Sequence, residues 1–451
     1  MVTEVNNNND KSTGINESRF SEEYLRTHPV IYTQDMFFTP EGAMTDELPM
    51  KREIFRMISP YAFTAVPRKI DNIVDLTRIR AYREDFMPDE DRIHLRNGTL
   101  FLDGTFETKK EKIVRSRLPI DYDPDAAKPE TWLKYLNDLL YPEDIPTFQE
   151  YIGYCLLPTN KGQRMMIIKG AGGEGKSQSG TVLKKLFGIY CKDGSVAKIS
   201  ENRFARADLE HIHLMIDDDM RMEALRQTNY VKSLVTAKGK MDLEKKGRQS
   251  YQGYLYARIL AFSNGDLQSL YDRSDGFFRR QLILTTQPKN PKRVDDPDLA
   301  SKMIKELPGI FLWAFEGLRR LHANASRFTE SPRAAANREE LRQDANNVIQ
   351  FLEAEDYVSY PPSAQETSKD LYAAYCLWCE DNSMIPLKSR SFSDFLTTNA
   401  HKYGITHVNT VFNRLGRRVW GFKGIRILTD DRSCGKLSPY QDEELPFTDL
   451  Y

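Results

Sequence analysis

Residues Gly170 to Ser177, Gly-Ala-Gly-Gly-Glu-Gly-Lys-Ser, constrain this chain more than any other stretch. They follow the apolar run Met165-Met-Ile-Ile168 and precede Gln178 to Phe187, where apolar residues recur at helical spacing. The pattern predicts a buried strand, a glycine-rich turn and a helix. The eight residues fit G-x-x-x-x-G-K-[ST] without a gap. Side chains at Gly172, Gly173 or Gly175 would keep the backbone amides from closing round a phosphate. Those amides, with the positive end of the following helix, form an anion site that Gly170 opens. Lys176 would reach the β- and γ-phosphates, and Ser177 would offer its hydroxyl to Mg²⁺. ATP and Mg²⁺ are therefore the expected ligands. The bland alternative is a glycine-rich turn in an unrelated α/β protein.

At 451 residues the chain is too long for one core and predicts roughly two to four domains. Its net charge is −1, so contact with nucleic acid has to come from local patches. No run of about eighteen apolar residues occurs, and the first thirty residues are polar, which argues against a membrane span or signal peptide. The five cysteines, Cys155, Cys191, Cys376, Cys379 and Cys434, are scattered and odd in number. This predicts no disulfide framework and a cytoplasmic protein. Cys376 and Cys379 form a C-x-x-C inside a helical apolar pattern with no further ligands at zinc spacing, and are read as core residues.

In chain order, 1–18 predicts a disordered tail rich in asparagine and 19–118 an α+β domain. Within it, Asn97-Gly98 and Asp103-Gly104 bracket an apolar run as in a β-hairpin. Residues 119–160 predict a helical collar with two amphipathic helices, Trp132 to Leu140 and Thr147 to Leu156. The nucleotide-binding domain occupies 161–330.

Inside that domain, Ile212 to Ile216 is an apolar strand ending in Asp217-Asp218-Asp219. A parallel strand beside the glycine-loop strand would bring these carboxylates to the phosphates. Asp217 would then hold Mg²⁺ and Asp218 polarise the attacking water, with Asp219 able to replace either. A solvated acidic turn is the alternative. Lys238 to Gln249 is the strongest basic cluster nearby. A turn through Lys246-Gly247 between strand-like arms would project Lys245, Lys246 and Arg248 towards phosphates, unless the run is only a solvated face. Arg258 to Asn264 reads as a third strand, placing the Asn264 amide at a nucleophilic water or γ-phosphate. Arg279 and Arg280 precede a fourth strand, where one of them could enter a neighbouring subunit's site.

This ordered series resembles superfamily 3 helicases, and most of all the helicase modules of phage, plasmid and poxvirus primase-helicases. The resemblance implies an AAA+-like P-loop ATPase core and hexameric rings that move along single-stranded DNA. It makes Lys176 and Ser177 Walker A, Asp217 and Asp218 Walker B, and Asn264 sensor 1. Lys245 and Lys246 become the pre-sensor hairpin and Arg280 the finger, with Arg279 its alternative. The family often carries one acid or an Asp-Glu pair where three aspartates stand here, so their roles stay open.

A helix from Leu307 to Leu321 is of the kind that lids such ATPases, and 331–366 predicts a helical linker. Residues 367–430 read as a winged helix and resemble the C-terminal domain of the phage and poxvirus relatives, a resemblance that implies Lys388, Arg390 and Lys402 on or near a recognition helix. A helical bundle without DNA contact fits the same pattern. The tail 431–451 is acidic, and its Leu445 and Phe447 are candidates for docking a replication partner. The leading expectation is an ATP-driven hexameric DNA helicase for replication of a phage, plasmid or mobile element. It would bind single-stranded and origin DNA and work with a primase, a polymerase or host replication proteins, away from membranes. The alternatives are a primase-helicase subunit with its primase in trans, and an ATP-regulated origin-binding or melting protein.

Overall fold

The computed structural model describes residues 15–220, 229–247, 249–264, 275–344, 347–382, 384, 386–413 and 415–428. Arg248 and the tail residues Leu445 and Phe447 lie outside them. The chain divides into two compact units, 1–338 and 339–451.

The first unit begins with α1 (Glu17–Thr27), an antiparallel meander of β1 (Ile31–Thr33), β2 (Met36–Thr39) and β3 (Gly42–Met44), then α2 (Leu48–Ile58) and α3 (Val66–Ala81). These elements close over Tyr24, Phe37, Met50, Ile54, Ile58, Ile73 and Val74. A second antiparallel sheet follows in β4 (Arg92–Leu95), β5 (Gly98–Phe101) and β6 (Phe106–Glu107). Here β5 is the apolar run between the two glycine turns. Asn97 accepts from the Tyr122 N–H at 2.8 Å and donates to its carbonyl at 2.9 Å, tying the hairpin to the chain that leaves it.

Next come α4 (Glu130–Leu139), α5 (Ile145–Cys155), β7 (Met165–Gly170), α6 (Lys176–Phe187), β8 (Cys191–Asp193), α7 (Val196–Glu201), α8 (Arg203–Ala207) and β9 (Leu214–Asp217). Then follow α9 (Asn229–Thr236), β10 (Lys240–Leu243), β11 (Tyr251–Tyr254), β12 (Arg258–Asn264), α10 (Asp275–Phe278), β13 (Gln281–Thr285), α11 (Leu299–Lys305) and α12 (Leu307–Ala323). Five strands form a parallel sheet in the order β13-β7-β12-β9-β8. Its inner strands are buried on both faces, which is why Met165–Ile168 and Arg258–Ser263 are almost continuously apolar.

The acidic strand β9 is not the neighbour of β7 that the sequence suggested. β12 lies between them, with Asn264 opposite Gly170 and Ala261 opposite Asp217. Hydrophobicity followed by acids identifies a strand end but carries no information about strand order. The helix expected to form a lid, α12, packs along α5. Gly153 and Gly317 permit this, since a Cβ on Gly317 would stand 2.5 Å from the Gln149 carbonyl oxygen. Among the described residues no helix is long and apolar enough to cross a membrane.

α13 (Pro332–Asp344) crosses the division. The second unit continues with α14 (Asn347–Glu353), β14 (Val358–Ser359), β15 (Gln365–Thr367), α15 (Ser368–Asp381), α16 (Ser389–Asn399), β16 (Thr406–Phe412), β17 (Arg418–Lys423) and β18 (Arg426–Ile427). Its sheet runs β15-β17-β16, antiparallel throughout. Val348, Phe351, Leu371, Tyr375, Phe392, Leu396 and Phe422 form the core. Cys379 is buried in that core and Cys376 is half-buried beside it.

Candidate functional site

The loop Gly170–Gly175 leaves β7 at the carboxyl end of the parallel sheet and enters α6 through Gly175. Gly172, Gly173 and Gly175 hold φ of 105°, 80° and 93°, a region from which a Cβ is all but excluded. Gly170 is required for a different reason. A Cβ there would lie 2.6 Å from Thr286 Oγ1 and 2.7 Å from Lys176 Nζ. The loop encloses a cleft of about 450 Å³ lined by Lys176, Ser177, Asp218, Asn264 and Arg293 among others, within the usual range for a small-molecule site.

An anion already sits in the loop. The Glu174 carboxylate accepts from the Gly172 N–H at 2.9 Å through Oε1 and from Lys176 Nζ at 2.9 Å through Oε2. Both side chains are almost fully buried. Burial pushes the Glu174 carboxyl up, but the Lys176 ammonium and the backbone donors outweigh it and hold it below its ordinary range. A backbone amide and an ammonium converging on one carboxylate are the donor set a phosphate would use, so this loop fits a phosphorylated ligand.

Three further groups that the sequence reading did not single out build the loop. Tyr135 on α4 donates to the Gly175 carbonyl at 2.9 Å and accepts from the Ser179 N–H at 3.2 Å. Its burial pushes the phenol up to about 12, so it stays a neutral donor. Arg293 donates to the Glu174 carbonyl at 2.6 Å and pairs with Asp295 at 3.3 Å. Glu174 stands inside the motif at one of its variable positions, where the pattern is silent. Tyr135 is indistinguishable from an ordinary core tyrosine on an amphipathic helix. Arg293 lies in a polar loop with no spacing signal.

Of the three aspartates, Asp218 faces the cleft. Asp217 is buried, and its Oδ2 accepts from the Val196 N–H at 2.7 Å. Burial raises its carboxyl, with the neighbouring Asp219 and Asp218 adding to the effect against the backbone donors. Ser177 and Asp218 supply the hard oxygen donors that Mg²⁺ takes. Among the described residues no group of three or more His, Cys, Asp or Glu is placed to hold a metal by itself. Asn264 sits across the loop, its Oδ1 4.0 Å from where a Cβ on Gly172 would be.

The remaining named residues lie elsewhere. Arg279 and Arg280 precede β13 at the amino end of the sheet, where the Arg280 carbonyl accepts from the Met165 N–H at 2.8 Å. Five residues of strand, about 16 Å at 3.3 Å each, separate that level from Gly170. Arg279 is exposed and Arg280 half-buried. The β10–β11 hairpin forms as expected, but Lys245 folds back. Its ammonium meets the buried Glu210 carboxylate at 3.3 Å, which also accepts from the Tyr251 hydroxyl at 2.7 Å. Lys246 is exposed. In the second unit, Lys388 immediately precedes α16 without a side-chain bond to it and Arg390 stands in its first turn, both exposed.

A profile described as "Family of unknown function (DUF5906)" matches residues 168–280, from the end of β7 to the arginine pair. No curated protein matches the chain significantly. Among solved structures the chain is similar to "the apo structure of NrS-1 C terminal region (305-718)", with 12% identity and a TM-score of 0.51 over 76% of this chain and 79% of that one. It is also similar to the A form apo structure of that region, with 10% identity and a TM-score of 0.52 over 90% of this chain and 99% of that one. At such identities the likeness is one of fold, a mixed α/β chain with a parallel sheet.

Proposed function

We propose that the chain is an ATP-hydrolysing DNA helicase that acts as a ring of copies in the replication of a phage, plasmid or other mobile element. One observation carries this reading: Lys176, Ser177, Asp218 and Asn264, from a glycine loop and two other strand ends, line a single cleft at the carboxyl edge of a parallel sheet. Ligands of open α/β sheets bind at that edge.

In this reading the loop amides and Lys176 hold the phosphate chain. Mg²⁺, when bound, neutralises charge on the β- and γ-phosphates. Ser177 would hold that ion together with Asp217, whose Oδ2 also accepts from the Val196 N–H. Asp218 is the carboxylate positioned to take a proton from the attacking water, and Asn264 orients that water. Tyr135 and Arg293 fix the loop backbone. Lys246 and the second unit, read as a winged helix with Lys388 and Arg390 exposed, supply contacts to DNA phosphates.

The test uses the full chain with Mg²⁺–ATP and a forked duplex. The parent should hydrolyse ATP and displace a strand, and Lys176→Ala should lose both while keeping the parent's circular dichroism spectrum. Hydrolysis at the parent rate by Lys176→Ala sinks the assignment of the cleft. Hydrolysis without strand displacement would redirect the reading to an origin-melting protein.

A further inference from the structure

The β16–β17 hairpin of the second unit exposes apolar surface that its fold does not require. Val411 and Phe422 are buried, whereas Phe412, Leu415 and Trp420 are 52%, 78% and 58% exposed. Charge is equally one-sided. From 403 to 429 the chain carries Arg414, Arg417, Arg418, Lys423 and Arg426 and no aspartate or glutamate, in a protein whose net charge is −1. A solvated face would mix signs and avoid large exposed rings.

The turn of the hairpin is tied by hydrogen bonds of its own. Asn413 accepts at Oδ1 from the N–H groups of Leu415 at 3.0 Å and Arg417 at 2.9 Å, and Gly416 turns the chain at φ 71°. Behind Trp420, His407 stacks at 4.8 Å between centroids and 28° between planes, and His407 in turn stacks on Phe422 at 4.7 Å. The indole is thus backed by an aromatic row and more than half open. The Arg418 guanidinium lies 5.8 Å from the Phe412 ring centre, on the strand that carries Trp420.

We propose that this hairpin is a stacking platform for single-stranded DNA. An unpaired base lies on Trp420, and Arg417, Arg418 and Lys423 meet the phosphates on either side. A preorganised aromatic flanked by cations is the arrangement that binds single strands without reading their sequence. A duplex keeps its base faces inside the stack and has none to offer the indole. The inference shares with the preceding section the premise that the chain acts on DNA, but it does not depend on the nucleotide cleft.

The protein offers its own probe. Its other three tryptophans, Trp132, Trp313 and Trp378, are at most 9% exposed, so tryptophan emission quenched by an added oligonucleotide reports on Trp420. The full chain, without nucleotide, is titrated with a thymidine oligonucleotide, with the same length of duplex, and with a uridine oligonucleotide. Saturable quenching by the thymidine strand that vanishes in Trp420→Phe is expected. Trp420→Ala should weaken single-strand affinity about ten- to a hundredfold, and Trp420→Phe less. Arg417→Ala with Arg418→Ala should lower the slope of log affinity against log salt by about 1.4, at about 0.7 per phosphate contact. Unquenched emission, an unchanged affinity in Trp420→Ala, or equal quenching by duplex overturns the platform. Preferential quenching by the uridine strand also overturns it, by moving the partner to RNA. Each variant must keep the parent's thermal melting and its binding of Mg²⁺–ATP. Loss of nucleotide binding in Lys176→Ala with Trp420 quenching intact separates a failure here from a failure of the helicase reading.

Discussion

Glu174→Gln should tighten nucleotide binding, an unusual direction for a change inside a phosphate loop. In the present arrangement Glu174 engages both the Gly172 N–H and the Lys176 ammonium at 2.9 Å. A phosphate can take those donors only by displacing the carboxylate. A charge-assisted hydrogen bond is worth about 1.5–3 kcal/mol, and a neutral one about half of that. Glutamine keeps the shape and an acceptor oxygen but gives up the charge, so the internal competitor weakens by about 1–2 kcal/mol. That corresponds to roughly five- to thirtyfold tighter binding of Mg²⁺–ATP, read by calorimetry. The carboxyl is held below its ordinary range, so the competition is complete at neutral pH and relaxes only as the pH falls through that lowered value. A second readout follows from the same geometry. Without nucleotide the variant leaves Lys176 poorly compensated and should melt below the parent, and saturating nucleotide should close the gap. Equal or weaker binding by Glu174→Gln would refute the reasoning and make Glu174 a support that holds Lys176 ready.

His213 is buried with Ser116 Oγ at 2.9 Å and the Cys155 carbonyl at 3.0 Å, and burial, with the charge of Arg258, pushes it down to about 3. The unfolded chain therefore binds an extra proton between about pH 3 and 6.5, so stability is full above that window and lost as pH falls through it, by up to about 1.4 kcal/mol per pH unit. His213→Gln should reduce the slope of unfolding free energy against pH by one proton's worth, while His211, pushed in the same direction, keeps its share. Gly317→Ala should cost about 1–3 kcal/mol in denaturant unfolding, because the added carbon meets the Gln149 backbone and pushes α12 off α5. Arg280→Ala should bind nucleotide like the parent yet lose turnover, and mixing it with Lys176→Ala protein should restore part of the activity. Full turnover by Arg280→Ala, with Arg279→Ala inactive, moves the role to Arg279.

What the sequence made legible follows how local each signal is. The loop, its flanking strand and helix, the amphipathic α4 and α5, and the hairpins at Asn97-Gly98 and Lys246-Gly247 are set by glycine geometry and by spacings within a few residues. Strand order is not local, and β12 entered between β7 and β9 without any mark in its composition. The partners of Lys245 could not be read either. Glu210 is thirty-five positions away, and the fold brings it to Lys245 and to Tyr251 of β11 together. Charge runs announce cations but not which of them the fold spends on a buried acid. The aromatic half of the β16–β17 hairpin was hidden in the same way: Trp420 and Phe422 alternate onto one face of the strand, and spacing alone does not say that the core covers Phe422 and leaves Trp420 more than half open.

The amino edge of the parallel sheet bears on how the proposed ring would work. Arg164 is half-buried there, and its charge is disfavoured first by burial and then by Arg338, Arg279 and Arg280, with Glu330 offsetting part of the cost. Glu330 is itself paired with Arg338. Arg164 stands among the charges of three other guanidinium groups, and an anion brought to this edge would ease that repulsion. The cleft of the same chain cannot supply it, because the length of β7 lies between. A second copy that presents its own cleft to this edge can, and the arginines would then meet the phosphate chain held by that copy's loop. In the proposed ring the cleft of one copy would meet the arginines of the next, since heterologous contacts repeat the same pairing from copy to copy until the ring closes.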